Sequence, residues 1–336
     1  MTIHLHGLGH YHPSNEITNR FLEELDIGTS DEWILERVGI RARRTSMSLD
    51  YLKATKNADP RAALEAATDT NPQMGAAAAR MAVARAGLEL SDIGMVFSGS
   101  SAADSASPCE AAYIARELGL EVPVLDINSA CTSLFAQLFM LSLMREDALP
   151  NYVLVCAPEA LSRTVDYSDR TAAVLWGDAA AAAVVSLRVP GRAEILGNRL
   201  LSSPEGAPHV IVPRQGHFAQ DGRKVQMFAI KKTCEMLQGI RAEFQSEERK
   251  FNFVGHQANL RMLENVCRRC EIEDEQHHFN VEWYGNTGCA SAGSVMSMNW
   301  DKWTPEDDIG VVGVGSGLTW SSYWIRFNES VGTLAN

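Results

Sequence analysis

Three side chains in the sequence stand at positions where nucleophilic or acid–base chemistry could use them. The first is Cys131, which follows an apolar run at residues 122–127 through an Asn-Ser-Ala turn and opens an apolar, helical stretch. A thiol at a helix N-terminus faces unpaired N–H groups and the positive end of the helix dipole, which favour its thiolate. Those N–H groups could also bind an oxyanion. Cys131 is therefore a candidate nucleophile, although a small cysteine also fits where a helix packs on a sheet.

The other two side chains are His256 and Asn286, which follow apolar or aromatic runs later in the chain. His256 emerges from the end of a predicted strand, a position that suits a general base or a hydrogen-bond donor. Asn286 lies in a Gly-Asn-Thr-Gly turn. A satisfied structural histidine and an ordinary turn would explain each of them alone. The glycine-rich loop at residues 313–317 lacks the lysine of a phosphate loop, and it favours a close approach of the backbone to a ligand or a catalytic group.

The elements that must position these residues alternate along the chain. Continuous apolar strands with helices between them predict an α/β fold with a mostly parallel sheet covered on both faces. The predicted strands are residues 93–99, 122–127, 152–157, 180–186, 193–202, 251–255, 309–313 and 321–327. The predicted helices are residues 30–38, 75–86, 109–118, 131–145, 225–244 and 257–270.

A short internal repeat indicates a duplication. Residues 128–133 read Asn-Ser-Ala-Cys-Thr-Ser, and residues 286–291 read Asn-Thr-Gly-Cys-Ala-Ser, 158 residues further on. Both copies follow an apolar or aromatic run and precede small and apolar residues. Together with the similar order of strands and helices, this predicts two related halves, residues 1–190 and 191–336, divided at a Pro-Gly pair. The functional site is expected where the strand ends of the two halves meet.

Composition excludes several classes of function. The 336 residues are 46% hydrophobic and 21% charged, as in a soluble globular protein, and the formal net charge is −12. Spread acidic residues argue against a nucleic-acid-binding surface. No secretory leader or apolar run of about 18 residues is apparent, so we expect a cytoplasmic protein without a membrane span. The seven cysteines have no disulfide-scaffold spacing, and the lone CxxC at Cys267 and Cys270 predicts no metal site.

Five segments together resemble the β-ketoacyl-ACP synthase III branch of the thiolase superfamily. The matches follow family order across nearly the whole chain. They are residues 28–40 (GTSDEWILERVGI), 129–133 (SACTS), 255–261 (GHQANLR), 284–288 (YGNTG) and 313–320 (GVGSGLTW).

The resemblance implies a fold, an assembly and a reaction. The fold is a five-layered αβαβα arrangement of two pseudo-duplicated halves, and the assembly is a homodimer. Cys131, His256 and Asn286 match the family's catalytic triad. Cys131 would take an acyl group from a CoA or acyl carrier protein (ACP) thioester, and His256 and Asn286 would stabilise the enolate formed when malonyl-ACP decarboxylates. The resemblance implies neither a metal nor another cofactor.

Further positions match binding residues of the family. Trp33 and Arg37 match residues that hold the adenine and phosphate end of CoA, and Arg170 matches a residue at the mouth of the pantetheine channel. Asn259 would position the catalytic water or the neighbouring donors. Arg261 matches a basic residue that meets the acidic carrier protein. A plain surface role would also explain each of them.

Several positions depart from the family pattern. Ser316, beside Gly315, replaces a loop glycine and can still offer its backbone N–H to an oxyanion. Ser107 replaces a bulky aromatic residue that closes the far end of the acyl pocket from across the dimer, while Leu161 and Trp176 are expected to line the pocket. A small residue at position 107 should lengthen the pocket. We therefore expect acyl chains longer than acetyl.

Parts of the sequence are similar to a specialised subgroup of condensing enzymes that builds dialkylresorcinols. The long excursion at residues 45–72 adds to this likeness, and the attacking unit would then be a β-ketoacyl thioester. The alternatives are the housekeeping synthase III that starts fatty-acid synthesis and an acyltransferase of the same fold acting on an oxygen or nitrogen nucleophile. An inactive partner subunit is a non-enzymatic alternative, against which the intact triad argues.

Overall fold

The computed structural model describes residues 2–328, which form thirteen strands and eleven α-helices. The strands are β1 (Ile3–Tyr11), β2 (Asn15–Thr18), β3 (Ala42–Thr45), β4 (Ile93–Ser98), β5 (Val124–Asp126), β6 (Tyr152–Glu159), β7 (Ala179–Ser186), β8 (Ala193–Ser202), β9 (Val210–Ile211), β10 (Ala219–Gln220), β11 (Lys250–Gly255), β12 (Asp307–Gly315) and β13 (Thr319–Phe327). The helices are α1 (Asn19–Glu24), α2 (Asp31–Arg37), α3 (Leu49–Thr55), α4 (Asn71–Arg85), α5 (Glu110–Leu118), α6 (Ser133–Leu143), α7 (Arg170–Ala173), α8 (Gly222–Phe244), α9 (Leu260–Cys270), α10 (Val281–Tyr284) and α11 (Ser291–Met298).

Nine of the strands form one sheet in the order β11-β12-β13-β8-β1-β7-β6-β4-β5. The sheet is mixed. The pairs β11–β12, β4–β5 and β4–β6 are parallel, and the other five pairs are antiparallel. The parallel share is therefore smaller than the apolar strands predicted. Helices cover both faces here, so the antiparallel strands are as continuously apolar as parallel ones and the pattern does not separate the two.

The strand order repeats across the middle of the sheet. From its outer side inwards, the first half runs β4, β6, β7, β1, and the second runs β11, β12, β13, β8 with the same parallel and antiparallel pairings. The counterpart of β5 is reduced to one parallel bridge between Phe253 and His277. The halves join where β1 pairs with β8 over three residues. The link between β7 and β8 contains the predicted division at residue 190. Because one sheet crosses it, the division into two domains stays a prediction.

The helices and the two parts of the sheet form five layers, with clusters of buried residues between them. Helices α4 and α5 pack on β4, β6 and β7 in one outer cluster, and α8 and α9 pack on β11, β12 and β13 in the other. Helices α6 and α11 lie between, in a core cluster that includes Leu134, Phe135, Val295 and Met296. The thiolase-like αβαβα class predicted from the sequence is confirmed. None of the helices in the described residues has the length and apolarity needed to cross a bilayer.

Strand β1 is a central strand that the sequence prediction missed. It contains three histidines and two glycines in nine residues, IHLHGLGHY, which resembles neither an apolar run nor a clean alternation. The glycines permit a close approach of α4. A Cβ atom would lie 2.2 Å from the Ala82 carbonyl oxygen at Gly7 and 1.9 Å from the Ala78 carbonyl oxygen at Gly9. Glycine is required at both positions because any side chain would push the helix off the sheet.

The excursion at residues 45–72 forms a closed flap beside the first half. It begins at the end of β3, contains α3, and returns through an antiparallel bridge between Met47 and Ala67 before α4 begins. Its buried residues Met47, Leu52 and Ala63 belong to a fourth hydrophobic cluster, which also contains Leu161. The flap is therefore packed against the rest of the protein.

Candidate active site

Cys131 lies in a tight turn between β5 and α6. The preceding Ala130 has a left-handed backbone with φ of 48°, and its N–H donates to Asn128 Oδ1 at 2.8 Å. Helix α6 begins at Ser133, so the prediction that the helix opens at Cys131 is wrong by two residues. The left-handed residue turns the chain sharply, a conformation that is costly for alanine and typical of functional sites.

The environment of the thiol opposes its ionisation. Burial, followed by the charge of Glu159, raises the pKa of Cys131 to about 12. The backbone N–H groups of Cys131 and Ser316 face the sulfur and act in the opposite direction. Because desolvation penalises the charged form, burial favours the neutral thiol. This outcome is the opposite of the thiolate that the sequence predicted.

A pocket of about 180 Å³ opens beside the thiol. Its lining residues include Cys131, Leu161, Trp176, Val210, Phe218 and Ser316. Trp176 and Phe218 meet edge to face with their ring centroids 4.7 Å apart. The structure therefore places the predicted pocket residues Leu161 and Trp176 at the nucleophile. The predicted Ser107 is exposed and does not line this pocket within its own chain.

The glycine-rich loop at the end of β12 contacts the nucleophile turn. A Cβ atom on Gly315 would lie 3.2 Å from the backbone nitrogens of Cys131 and Thr132. The Ser316 hydroxyl donates to the Val210 carbonyl at 2.6 Å, which turns the side chain away from the sulfur. The N–H groups of Cys131 and Ser316 can thus point to one place above the thiol, as in an oxyanion hole.

His256 follows β11 and is 5% exposed. Its Nδ1 lies 2.8 Å from the Ser291 hydroxyl, which also accepts from the Gln257 N–H at 3.4 Å. The hydroxyl of Ser291 has no other acceptor among residues 2–328, which favours its donation to Nδ1 and the tautomer with the proton on Nε2. Burial lowers the pKa of His256 to about 4. The ring is therefore neutral at physiological pH and presents an Nε2–H donor.

Asn286 occupies the turn that leads to α11. Its Oδ1 accepts from the Gly288 N–H at 3.0 Å, and its backbone forms a parallel bridge with Trp176. Its Nδ2 has no hydrogen-bond partner within the described part of the chain. Asn286 is held by Gly288 in the turn before α11, His256 is held by Ser291 at the first residue of α11, and neither lines the pocket around Cys131. They offer two N–H donors, one from each side chain.

The two copies of the sequence repeat share their backbone geometry. Ala130 and Gly288 have φ of 48° and 53°, and each donates its N–H to the asparagine two residues earlier. The thiols differ. Cys131 opens into the pocket, whereas Cys289 is 2% exposed and donates to the Gly99 carbonyl at 3.2 Å. The cysteine of the second copy is therefore a buried residue without access to the pocket.

Glu159 is a residue near the site that the sequence prediction missed. It ends β6, is fully buried, and accepts from the Ser101 hydroxyl and N–H at 2.7 and 3.0 Å and from the Cys289 N–H at 3.3 Å. Burial raises the pKa of Glu159, while these donors lower it. The sequence signal is a lone carboxylate directly after an apolar strand. Because Ser101 also lines the pocket, Glu159 ties the pocket to the turn of the second half.

The predicted CoA-binding residues cluster at one place on the surface. The guanidinium of Arg170 lies 4.8 Å from the centre of the Trp33 ring, and that of Arg37 lies 6.0 Å from it. Asn259 caps α9, and its Oδ1 accepts from Met262 N–H. Arg261 is exposed.

Arg261 is held by contacts on two sides. Its guanidinium donates to the Leu35 carbonyl at 2.7 Å and pairs with Glu264 at 3.0 Å. A carrier protein that bound Arg261 would therefore meet a guanidinium that is already oriented.

Comparison with known proteins identifies the family. The model of the 3-oxoacyl-[acyl-carrier-protein] synthase III family matches residues 125–204, and the model of its C-terminal part matches residues 242–327. The chain is 33% identical to β-ketoacyl-[acyl-carrier-protein] synthase III of Bacillus pumilus over 96% of this chain and 98% of the relative. It is 30% identical to the enzyme of the same name from Oceanobacillus iheyensis, over 98% and 100% of the two chains. The chain belongs to the β-ketoacyl-ACP synthase III family.

The fold comparison agrees with the family. The crystal structure of 3-oxoacyl-[acyl-carrier-protein] synthase III from Aquifex aeolicus superposes with a TM-score of 0.84 at 27% identity, covering 97% of this chain and 100% of that one. The resemblance drawn from the sequence is thus confirmed. As a member of the synthase III family, the protein is an acyltransferase of the condensing type.

Proposed function

We propose that this chain is a β-ketoacyl-ACP synthase III that loads an acyl group on Cys131 and condenses it with malonyl-ACP. One observation carries the proposal. Cys131 and Ser316 line one pocket, their N–H groups favour negative charge on the sulfur, and His256 and Asn286 are hydrogen-bonded by residues of the second half. Acyl transfer and decarboxylation each create an oxyanion, and this arrangement offers donors for two.

The first step transfers the acyl group. The sulfur of Cys131 attacks the carbonyl carbon of an acyl-CoA, a C–S bond forms, and the C–S bond to CoA breaks. Because the thiol is neutral at rest, its proton must leave during the attack, and it ends on the departing CoA thiol. The N–H groups of Cys131 and Ser316 would hold the oxygen of the tetrahedral intermediate.

The second step forms the carbon–carbon bond. Malonyl-ACP loses CO₂, and its thioester oxygen takes the negative charge of the enolate. The Nε2–H of His256 and the Nδ2–H of Asn286 would donate to that oxygen. The carbanion attacks the acyl carbonyl, Cys131 leaves as a thiolate and takes up one proton, and a β-ketoacyl-ACP departs.

The ranking of the two candidate second substrates, malonyl-ACP and a β-ketoacyl thioester, is the reverse of the ranking predicted from the sequence. The dialkylresorcinol subgroup was the leading specific prediction there. The relatives described above are named as synthase III enzymes, which supports the housekeeping reaction with malonyl-ACP. Condensation with a β-ketoacyl thioester is the second candidate, and the packed flap at residues 45–72 is the observation that favours it. The expected preference for acyl chains longer than acetyl is part of the proposal.

The partners follow from the substrates and from the shape of the sheet. Stacking of Arg170 on Trp33 would suit an adenine ring beside phosphates. Arg261 is the proposed contact for the acidic carrier protein. Strand β5 ends the sheet with Leu125 half exposed, which supports pairing with a second copy in a homodimer. All seven cysteines are free thiols, as is usual in the reducing cytoplasm.

Mass spectrometry of the intact protein tests the proposal. The protein is incubated with acyl-CoAs of two to twelve carbons, then with malonyl-ACP or a β-ketoacyl-ACP, and the released product is identified. We expect an acyl adduct that Cys131→Ala removes, and a β-ketoacyl-ACP product from malonyl-ACP. No adduct with any acyl-CoA or acyl-ACP would refute the proposal, and product formed only from the β-ketoacyl unit would favour the second candidate.

A further inference from the structure

The pocket beside Cys131 has an outer wall that is not part of the central sheet. Leu161 belongs to a short 3₁₀ turn after β6, and Phe218 belongs to the segment of residues 203–221 between β8 and α8. We call Leu161 and Phe218 the outer wall. The Phe218 N–H donates to the Thr164 carbonyl at 2.8 Å, so the two parts of the wall are joined directly.

The flap at residues 45–72 holds both parts of this wall through one residue. Asn57 is fully buried, and its Nδ2 donates to the carbonyls of Arg163 and Val165 at 2.9 and 2.8 Å. These carbonyls belong to residues two and four positions after Leu161, at the end of the same 3₁₀ turn and just beyond it. The Asn57 carbonyl lies 2.8 Å from Nε2 of His217, the neighbour of Phe218. Asn57 therefore fastens the flap to the residues beside each member of the outer wall.

The backbone at this point has the conformation that such a junction needs. Lys56 and Asn57 have φ of 49° and 54°, in the left-handed region that asparagine tolerates better than most residues. The turn lets the side chain and the carbonyl of Asn57 point in different directions. In addition, the Lys56 carbonyl accepts from the Tyr167 N–H at 3.0 Å.

Apolar packing supports the same connection. Met47, Leu52 and Ala63 of the flap are buried in one cluster with both members of the outer wall. A displacement of the flap would therefore be felt at the surface that an acyl chain touches, because packed interiors transmit small shifts.

We propose that Asn57 is a positioning residue through which the flap sets the length of acyl chain that the pocket accepts. The inference rests on the proposed function, since it assumes that the pocket receives the acyl group. Loss of the Asn57 amide leaves two buried carbonyls unpaired and frees the outer wall to move outwards. Each further methylene that the pocket buries then favours binding by about fourfold.

The test compares acyl-CoAs of two to twelve carbons as acylating agents of Cys131. In Asn57→Ala, room for two more methylenes raises the ratio of long-chain to acetyl loading by about 15-fold over wild type. His217→Ala removes only the bond on the Phe218 side and should shift the ratio in the same direction, so it answers the question if Asn57→Ala does not fold. Phe218→Ala opens the wall directly and provides the upper limit of the shift.

A matched control lies in the same flap. The Tyr51 hydroxyl donates to Oδ1 of Asn57 at 3.1 Å and makes no bond to the wall. Tyr51→Phe should therefore leave the chain-length profile unchanged. Folded Asn57→Ala and His217→Ala proteins with the wild-type profile would overturn the inference, as would an equal shift in Tyr51→Phe.

A second ladder separates this inference from the proposed function. Alkyl methanethiosulfonates of increasing length form a mixed disulfide with Cys131 and release a sulfinate, without CoA chemistry. A profile that shifts with these reagents in Asn57→Ala supports the inference even if no acyl-CoA reacts. The same profile in wild type and variant would refute it even if acyl-CoA loading succeeds.

Discussion

The neutral state of His256 leads to a sharp expectation for the pH dependence of condensation. Burial lowers the pKa of this histidine to about 4, against an ordinary value of 6.5. A lowered pKa extends the neutral form to lower pH, so the Nε2–H donor survives acidification. At pH 5.5 a histidine of pKa 4 is about 97% neutral, and one of pKa 6.5 is about 10% neutral. The two cases differ about tenfold in active enzyme.

The assay follows decarboxylation of malonyl-ACP by acylated enzyme between pH 5.5 and 7.5. The quantity measured is kcat/KM, which reports ionisations of the enzyme before malonyl-ACP binds. We expect less than a twofold change across this range. Acyl loading of Cys131, measured in parallel, and circular dichroism control for the nucleophile and for folding. His256→Ala should lose decarboxylation and retain the acyl adduct.

A fall of about tenfold between pH 7.5 and 5.5, with a midpoint near 6.5, would refute the argument. It would mean that water reaches the ring in solution and that burial does not set its charge. Loss of acyl loading in His256→Ala would contradict the separate assignment of His256 to the condensation step.

Three further predictions concern the nucleophile, the repeated turn and the CoA site. In Glu159→Gln, loss of a negative charge near the thiol lowers the pKa of Cys131. Alkylation of Cys131 by iodoacetamide at pH 8 should therefore be about 3- to 10-fold faster than in the wild type. An unchanged rate would show that Glu159 is uncharged. Gly288→Ala should lower the free energy of unfolding in guanidinium chloride by about 1–3 kcal/mol more than Gly87→Ala. Both glycines have positive φ, but only a Cβ at position 288 meets another residue, 2.6 Å from Glu159. Equal losses would refute that clash. Trp33→Ala should raise KM for acyl-CoA by about tenfold and leave loading from an acyl-N-acetylcysteamine thioester unchanged; an equal effect on both donors would exclude a CoA contact.

The sequence predicted the parts of the fold whose signals are local. The buried strands and long helices have continuous or periodic apolar residues, and the repeat of Asn-x-x-Cys predicted two related turns that share backbone geometry. Strand β1 could not be found in this way, because its inner positions carry glycines that touch α4. The raised pKa of Cys131 could not be predicted, because position near a helix start is visible in sequence, whereas burial and a carboxylate distant in the chain are not.

In the candidate site too, residues in sequence motifs could be predicted, whereas residues that act through distant contacts could not. Motifs indicated Cys131, His256 and Asn286, and Leu161 and Trp176 line the same pocket as Cys131. The catalytic roles stay predictions. Glu159 and Asn57 carry no recognisable motif. Each acts through hydrogen bonds to residues far away in the chain, and such contacts follow from the tertiary structure alone.

The middle layer of α6 and α11 has a consequence for how this protein unfolds. In repeat proteins whose units touch only their neighbours, one unit can melt while the next persists. Here each half contributes one helix to a core that both halves share, and β1 and β8 close the sheet between them. Melting either half would expose the inner face of the other to water. We therefore expect the two halves to unfold as a single cooperative unit, although each repeats the same strand order.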